Sequence, residues 1–191
     1  MEYFRPKYPN LTLYLSLLAI LTALTIVATV VLMVPFPSTS GYFNLGDVLV
    51  MLSGLLLGPL GGFIAGGVGS AIADLMLAPW YAPITLITKG LEGMAVGLIC
   101  SRTRRESRIS PWDIVAVIVA SCVMLVGYLV GEVLVLGYSI GVALTELVTI
   151  NSVQVIVGSF GSLTVGSIVR SYLRDLTYTK ENPQELESLN H

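Results

Sequence analysis

The residues of this chain that could do chemistry are charged and amide side chains placed inside apolar segments. Each charged side chain at the centre of a membrane helix costs about 2.5–3.5 kcal/mol on insertion scales. Several of them together are therefore expected to pair with one another, to line a wet cavity or to bind a ligand. These residues are Asp47, Asp74, Lys89, Glu92, Glu132, Glu146, Asn151 and Gln154.

Three helices are each predicted to carry a pair of polar residues with the spacing of neighbours on one helix face. Lys89 and Glu92 stand at positions i and i+3 and are predicted to form an ion pair. The pairs are expected at similar depths in the outer half of the membrane, and a polar cavity open to the exterior explains that placement. They are Lys89 and Glu92, Tyr128 and Glu132, and Asn151 and Gln154.

Polar and aromatic side chains in the predicted outer loops could cover a flat ligand in such a cavity. The alternative for the aromatic residues is an ordinary belt at the membrane surface. For the helix pairs, the alternatives are a structural ion pair at Lys89 and Glu92 and interhelical hydrogen bonds at Asn151 and Gln154. Asp74 could equally be a packing or capping partner. The loop residues are Tyr42, Asn44, Trp80, Tyr81 and Tyr138.

Motifs of known catalytic chemistry are missing from the sequence. It has no HExxH zinc motif, no GxSxG nucleophile elbow and no Walker A loop, and its single histidine is the last residue, His191. Cys100 and Cys122 are predicted to be buried, unpaired thiols without metal-ligand spacing. We therefore expect no enzyme activity, no ATPase activity, no cofactor and no metal.

The elements that must position these residues are long apolar segments. Of 191 residues, 54% are hydrophobic and 12% charged, whereas a soluble domain carries about 25% charged residues. Since roughly 20 apolar residues cross a bilayer as a helix, the sequence predicts an all-α integral membrane protein with a compact bundle of six transmembrane helices. The approximate segments are Leu11–Val34, Gly46–Leu57, a third from the turn Gly58–Gly62 to Ala78, Pro83–Ile99, Trp112–Leu136 and Val142–Arg170.

The basic residues orient this bundle. Nine of the ten Lys and Arg residues fall at ends predicted to face one side, and Lys89 lies within a helix. The opposite loops, Pro35–Leu45, Leu77–Ala82 and Gly137–Gly141, contain none. By the positive-inside rule, both termini are predicted to be cytoplasmic. The nine residues are Arg5, Lys7, Arg102, Arg104, Arg105, Arg108, Arg170, Arg174 and Lys180.

These predictions divide the chain into a cytoplasmic N-terminal segment, 1–10, a six-helix substrate-binding domain, 11–176, and a polar C-terminal tail, 177–191. The first helix is expected to be retained, because its apolar run of 24 residues is longer than the core of a signal peptide. A net charge of −2 favours no nucleic-acid partner. Small residues spaced four apart predict close helix packing, as at Gly62, Gly66 and Ser70 and again at Gly93 and Gly97.

The chain resembles the S components of energy-coupling factor (ECF) transporters in three runs of residues. These are Asn44–Asp47 (NLGD), Leu57–Gly62 (LGPLGG), and Trp80–Thr85 (WYAPIT) leading into Lys89–Gly93 (KGLEG). The similarity is greatest to the branch that takes up riboflavin, hydroxymethylpyrimidine and pyridoxine, and it extends over roughly the whole helical region.

The resemblance implies a six-helix membrane subunit of a prokaryotic plasma membrane that captures a vitamin-like substrate from outside. Such a subunit docks on a membrane T component that carries two cytoplasmic ATPases. S components meet the T component through an AxxxA pattern on the first helix, which Ala19 and Ala23 match. Their ligand lies among the outer halves of helices four, five and six, under the loop after helix one.

We therefore predict a substrate site built from both the loop and the helix residues. Lys89 and Glu92 would contact polar ring substituents, and Glu132 and Asn151 would hydrogen-bond ring nitrogens or hydroxyls. Tyr42, Trp80 or Tyr128 would stack on the ring. The predicted substrate-binding residues are Tyr42, Asn44, Trp80, Tyr81, Lys89, Glu92, Tyr128, Glu132, Asn151 and Gln154.

Three other functions remain open at this point. A self-sufficient secondary transporter or small channel, proton-linked through Asp74, Glu92 or Glu132, would need no ATPase. A membrane enzyme acting on lipid-soluble substrates would show turnover by the purified protein. A structural membrane subunit would bind no small molecule.

Overall fold

The computed structural model describes residues 11–35, 42–101 and 109–181, with side chains described as far as residue 172. The predicted N-terminal segment with Arg5 and Lys7, and the basic stretch Arg102–Arg108, lie outside these residues. So do residues 182–191 of the predicted tail, and the side chains of Arg174 and Lys180. The cytoplasmic placement of those parts therefore stays a prediction.

The described residues form six helical rods, and five of them (all but the third) begin within two residues of their predicted starts. The third rod, α3, begins at Pro59, so the predicted turn Gly58–Gly62 is confined to Gly58. The sixth rod, α6, runs on to Glu181, beyond its predicted end. The rods are α1 (Leu11–Val31), α2 (Gly46–Leu57), α3 (Pro59–Gly62, Phe63–Val68 and Gly69–Leu77), α4 (Ala82–Ile99), α5 (Pro111–Leu134) and α6 (Ile140–Glu146, Leu147–Asn151 and Ser152–Glu181).

Local chemistry accounts for several of these helix ends. Gly58 separates α2 from α3 and has a φ of 87°, a backbone conformation that residues with a Cβ rarely adopt. Pro59 and Pro111 occupy first helical positions, where the missing N–H has no intrahelical acceptor to lose. Ser110 and Asp113 form a capping box at the start of α5. Ser139 accepts a hydrogen bond from the Val142 N–H at the start of α6.

A short antiparallel hairpin connects α1 and α2, in a region that the sequence analysis treated as a polar loop. Its strands are β1 (Val34–Pro35) and β2 (Tyr42–Phe43), with Val34 opposite Phe43 and Pro35 opposite Tyr42. Two-residue strands leave too little periodicity to predict from sequence. The hairpin places Tyr42 over the end of the helical bundle.

Helix α2 is the centre of the bundle, although it has only 12 residues. It packs against α1, α3, α4 and α6. Ten of its residues are buried, which explains why its sequence is apolar on all sides. Met51 and Leu55 of α2 pack with Val96 of α4 and Val117 of α5 in an apolar core.

Glycines allow α2, α3 and α4 to approach at backbone distance. A Cβ on Gly62 would lie 2.9 Å from the Cα of Gly54, and one on Gly54 would lie 3.1 Å from the backbone nitrogen of Gly97. A Cβ on Gly66 would lie 3.0 Å from the carbonyl oxygen of Lys89. These approaches confirm the prediction of close packing at Gly62 and Gly66.

A buried ion pair ties α5 to α6 at the end of the bundle where α5 begins. Arg170 Nη1 donates to Asp113 Oδ2 at 2.8 Å, and Arg170 Nη2 donates to the carbonyl oxygen of Leu55 at 3.2 Å. Sequence analysis placed Arg170 among the basic residues at the predicted cytoplasmic ends and predicted no partner for it. The structure adds that partner, because Arg170 is buried and is held by a carboxylate of another helix.

Within the part of the chain that the structure describes, five helices are long and apolar enough to cross a membrane, by length and composition, whereas α2 is shorter. Only 22% of the most apolar 18-residue stretch of α1 is buried inside the protein. Most of this helix therefore presents an apolar surface to its surroundings. Leu15, Ile20 and Val27 of α1 are among its exposed large side chains. The predominantly helical fold is confirmed, and the sixth crossing and the orientation of the termini stay predictions.

Candidate functional site

A cavity lies at the end of the bundle under the hairpin. It is bordered by the end of α1, the second half of α3, the first half of α4, the last turns of α5 and the start of α6. It encloses about 440 Å³ of empty space with its open mouth included. Eight of the ten predicted site residues line it: Tyr42, Asn44, Tyr81, Lys89, Tyr128, Glu132, Asn151 and Gln154.

The other two predicted residues lie outside the cavity wall. The side chain of Trp80 is 52% exposed and is not among the lining residues. Glu92 is fully buried behind Lys89 and is not part of the wall. The stacking role predicted for Trp80 and the ligand contact predicted for Glu92 therefore do not follow from the geometry.

Lys89 is held by two carboxylates from two helices. Its ammonium group forms an ion pair with Asp47 of α2 and another with Glu92, at 3.3 Å from Oε2. The predicted pair of Lys89 with Glu92 is thus confirmed. Asp47 was not predicted as a partner, because it lies 42 residues away in the sequence. The Lys89 ammonium also lies 5.5 Å from the centre of the Tyr128 ring, within the range of a cation–π contact.

A chain of hydrogen bonds connects the hairpin to the helices beneath it. The Tyr42 hydroxyl donates to Asp74 of α3, and the Tyr128 hydroxyl bonds to Thr85 Oγ1 at 2.9 Å. Thr85 also interacts with the carboxyl of Asp74. Burial, and then the negative charge of Asp74, raise the pKa of the Tyr42 phenol well above its ordinary value. Tyr42 is therefore a neutral donor that fixes the hairpin on the cavity.

Glu132, Glu146 and Asn151, which we call the acidic corner, form one wall of the cavity. The Tyr81 hydroxyl donates to Glu146 Oε2 at 3.1 Å. The carboxyl of Glu132 interacts with Glu146 and Asn151. Among the described residues, no well-formed hydrogen bond reaches either oxygen of Glu132, Oε1 of Glu146 or the amide nitrogen of Asn151. Burial is the main cause of a raised pKa of the Tyr81 phenol, followed by the charges of Glu146 and Glu132.

A π-helical turn in α6 explains why Glu146 and Asn151 share this wall. The turn runs over Leu147–Asn151 and follows directly on Glu146. Residues five apart point in different directions on an α-helix, but i→i+5 hydrogen bonding brings them to the same side. Since periodicity analysis assumes 3.6 residues per turn, it could not place Glu146 beside Asn151.

Several residues of the wall were not predicted as site residues. Ser70 and Asp74 are i, i+4 neighbours on α3, as Thr85 and Lys89 are on α4, so their spacing was a usable signal. Asp74 and Glu146 were noted as intramembrane carboxyls without an assigned role. The residues missed are Thr29, Ser70, Asp74, Thr85, Glu146 and Ile150.

Two tyrosines of the wall, Tyr81 and Tyr128, lie close together, and Tyr138, which is not a lining residue, packs against Tyr81. The ring centres of Tyr81 and Tyr128 are 6.4 Å apart, and those of Tyr81 and Tyr138 are 6.5 Å apart in an edge-to-face arrangement. A cavity with aromatic faces, carboxyl acceptors and amide donors is suited to bind a small polar heterocycle. No group of three or more metal-ligating side chains occurs among the residues that the structure describes.

Comparison with known proteins identifies the family and the fold. A family model described as "ECF-type riboflavin transporter, S component" matches residues 10–180. The solved structure of an S component of a bacterial ECF transporter superposes with a TM-score of 0.50 at 19% identity, covering 91% of this chain and 98% of the other. That likeness shows a shared fold.

A relative from Pyrococcus woesei, described as "Uncharacterized protein in gap 3'region", is 41% identical over 102 residues. The matched region is 53% of this chain and 66% of the relative, so it spans just under two thirds of the relative's length.

Proposed function

This chain belongs to the family of ECF-type riboflavin transporter S components, and from that premise we propose that it captures a small vitamin-like heterocycle from outside the cell. As a family member it is a membrane subunit that binds the substrate of an ECF transporter, and the family is not one of enzymes. The proposed substrate is of the riboflavin, hydroxymethylpyrimidine or pyridoxine type. Delivery into the cell proceeds through a T component driven by two partner ATPases.

One observation carries this proposal: polar residues from five helices and the hairpin converge on one cavity in a mostly apolar bundle. Lys89, Glu132 and Asn151 are each at most 5% exposed, yet all three line that cavity. Buried polar groups of this kind are costly unless they serve a structure or a ligand. Aromatic walls at Tyr81 and Tyr128 suit a flat ring.

We propose that the chain crosses the membrane six times, with the short α2 as one crossing and both termini cytoplasmic. The hairpin, the turn before α4 and the turn before α6 all lie at the cavity end, since Tyr42 and Tyr81 line the cavity and the Tyr138 ring packs against Tyr81. These three connections contain no Lys or Arg. The positive-inside rule therefore favours a cavity that opens to the exterior.

The proposed docking face for the T component is on α1. Ala19 and Ala23 both lie on the exposed side of this helix, where small side chains would let another helix approach closely. Because this face is separate from the cavity wall, substrate binding and docking are expected to be separable by mutation.

Uptake of radiolabelled vitamins and precursors by cells that express this chain with a T component and its ATPases tests the proposal. Uptake is expected with the full complex and not when the ATPases are inactivated. Asn151→Ala should abolish both binding and uptake, whereas Ala23→Trp should abolish uptake and leave binding unchanged. Uptake that continues without ATPases and stops on addition of an uncoupler would instead identify a self-sufficient ion-coupled transporter.

A further inference from the structure

The charges around the cavity do not balance. Three carboxyl groups line it, those of Asp74, Glu132 and Glu146, and Lys89 is the one cationic side chain among the described lining residues. Lys89 is already paired with Asp47 and with Glu92 behind it. Two carboxylates outside the cavity wall therefore already compensate the positive charge of Lys89, and the three lining carboxyls have no cationic partner of their own among the described lining residues.

The three lining carboxyls differ in the hydrogen bonds that they accept. Asp74 accepts a hydrogen bond from Tyr42, and one oxygen of Glu146 accepts from Tyr81. Glu132 is fully buried and its carboxyl interacts with Glu146 and Asn151, but no well-formed hydrogen bond reaches either of its oxygens within the described part of the chain. The unmatched acceptors are thus concentrated in the acidic corner.

Asn151 adds a donor to the same corner. Its side chain is 5% exposed, lines the cavity and interacts with the carboxyl of Glu132, and its amide nitrogen forms no well-formed hydrogen bond among the described residues. The corner therefore offers carboxyl acceptors and one amide donor to whatever enters the cavity. A buried pair of carboxyls is stabilised either by a shared proton or by a cation that donates hydrogen bonds.

We propose that Glu132, Glu146 and Asn151 bind the cationic, hydrogen-bond-donating end of the substrate, which is therefore a basic amino-heterocycle such as an aminopyrimidine or an aminomethylpyridine. The amino group donates to the two carboxylates, and the Asn151 amide donates to a hydroxyl or ring nitrogen beside it. This inference rests on the proposed function and narrows its substrate class.

Other members of the proposed substrate range fit the corner less well. A neutral ring bearing only hydroxyl groups supplies no positive charge, so one of the two carboxyls would have to stay protonated. A phosphate ester would place its negative charge among three carboxyls, where like-charge repulsion opposes binding. The aromatic rings of Tyr81 and Tyr128 add to the preference, since their faces attract cations.

The test is a comparison of matched ligands on the purified full-length protein in mild detergent, by isothermal titration calorimetry. Hydroxymethylpyrimidine is compared with the analogue that carries a ring oxo group in place of the amino group. Pyridoxamine is compared with pyridoxine and with pyridoxamine phosphate, and riboflavin serves as the neutral member. In whichever series binds, the amine is expected to bind at least about tenfold more tightly than its neutral partner and its phosphate.

Isosteric variants locate the preference in the acidic corner. Glu132→Gln and Glu146→Gln should each reduce the affinity for the amine by about tenfold or more and reduce the ratio between amine and neutral ligand. Asp113→Asn is the matched control, because it makes the same change at the opposite end of α5 and outside the cavity wall. It should leave the ratio unchanged even where it lowers the melting temperature.

The possible outcomes separate this inference from the proposed function. Tight binding of riboflavin or another neutral ligand, unaffected by either Gln variant, would overturn the inference and leave the proposed function standing; the corner would then be a carboxyl pair with a shared proton. Binding of no ligand in the panel would overturn both. The wild-type comparison decides the charge preference even if both Gln variants fail to fold.

Discussion

At the scale of single residues, Lys89 provides the positive charge that compensates two buried carboxylates. It is 3% exposed and compensates Asp47 and Glu92, which are 1% and 0% exposed. Removing one partner of a buried charge network leaves the others uncompensated and typically costs about 3–5 kcal/mol. Lys89 is therefore a structural residue as well as a cavity residue.

Lys89→Met should lower the melting temperature of the detergent-solubilised protein sharply, with a stability loss of about 3–5 kcal/mol. The double variant Lys89→Met/Asp47→Asn should recover part of that loss, because the uncompensated charge next to Lys89 is removed as well. Thermal unfolding of both variants measures the effect. If Lys89→Met melted at the same temperature as the wild type, Lys89, Asp47 and Glu92 would not form a buried charge network.

Tyr42 is the residue that holds the hairpin over the cavity. Tyr42→Phe leaves Asp74 without this donor and should cost about 1–3 kcal/mol in stability. Tyr172→Phe is the control, because the Tyr172 side chain is 64% exposed. Equal melting temperatures for the two variants would contradict the role of the Tyr42 hydrogen bond.

The same contact predicts a dependence on pH. The folded-state pKa of the Tyr42 phenol is raised, mainly by burial and then by Asp74. The stability that Tyr42 contributes is therefore fully present below the ordinary phenol pKa of about 10. It is lost as the pH rises past that value toward the folded-state pKa. Thermal unfolding across this range should show a smaller decline for Tyr42→Phe than for the wild type.

The sequence predicted many of these residues but only one of the contacts between them. The pair of Lys89 and Glu92 could be predicted because both lie on one helix. The partners Asp47 and Asp74 could not, since they reach Lys89 and Tyr42 from other helices. Distances between helices are set by packing, which single-helix periodicity does not contain.

At the scale of elements, the glycine contacts set how closely α3 and α4 approach. A Cβ on Gly93 would lie 2.7 Å from the carbonyl carbon of Gly62, a backbone atom that cannot move aside without shifting a helix. Gly93→Ala should therefore cost about 1–3 kcal/mol or more through overpacking. Gly141→Ala, where nothing lies within 4 Å of the added Cβ, should be neutral or slightly stabilising, as measured by thermal unfolding.

Apolar patterning predicted the helices but missed two short elements. Helix existence was predicted well, because long apolar runs bounded by Pro59 and Pro111 leave few alternatives. The hairpin at Tyr42 and the π-helical turn Leu147–Asn151 were missed. Both are short, and both shape the cavity rather than the apolar core.

At the scale of the whole molecule, the proposed orientation places the cavity mouth outside the cell. In a Cys100→Ser/Cys122→Ala background, Gly141→Cys should react with a membrane-impermeant maleimide in intact cells. Arg105→Cys, in the basic stretch beyond the described residues, should react only after the cells are permeabilised. The reverse pattern would invert the topology and place the cavity mouth in the cytoplasm.

The central claim is that the cavity under the hairpin is a substrate site, and native mass spectrometry of the protein purified in mild detergent tests it most directly. The wild type and Ser121→Ala, a change outside the cavity wall, should each carry or take up one small heterocycle from a panel of vitamins and precursors. Asn151→Ala and Gln154→Ala should lose it while remaining folded. A ligand retained by both cavity variants, or no ligand bound by the wild type, would contradict the account.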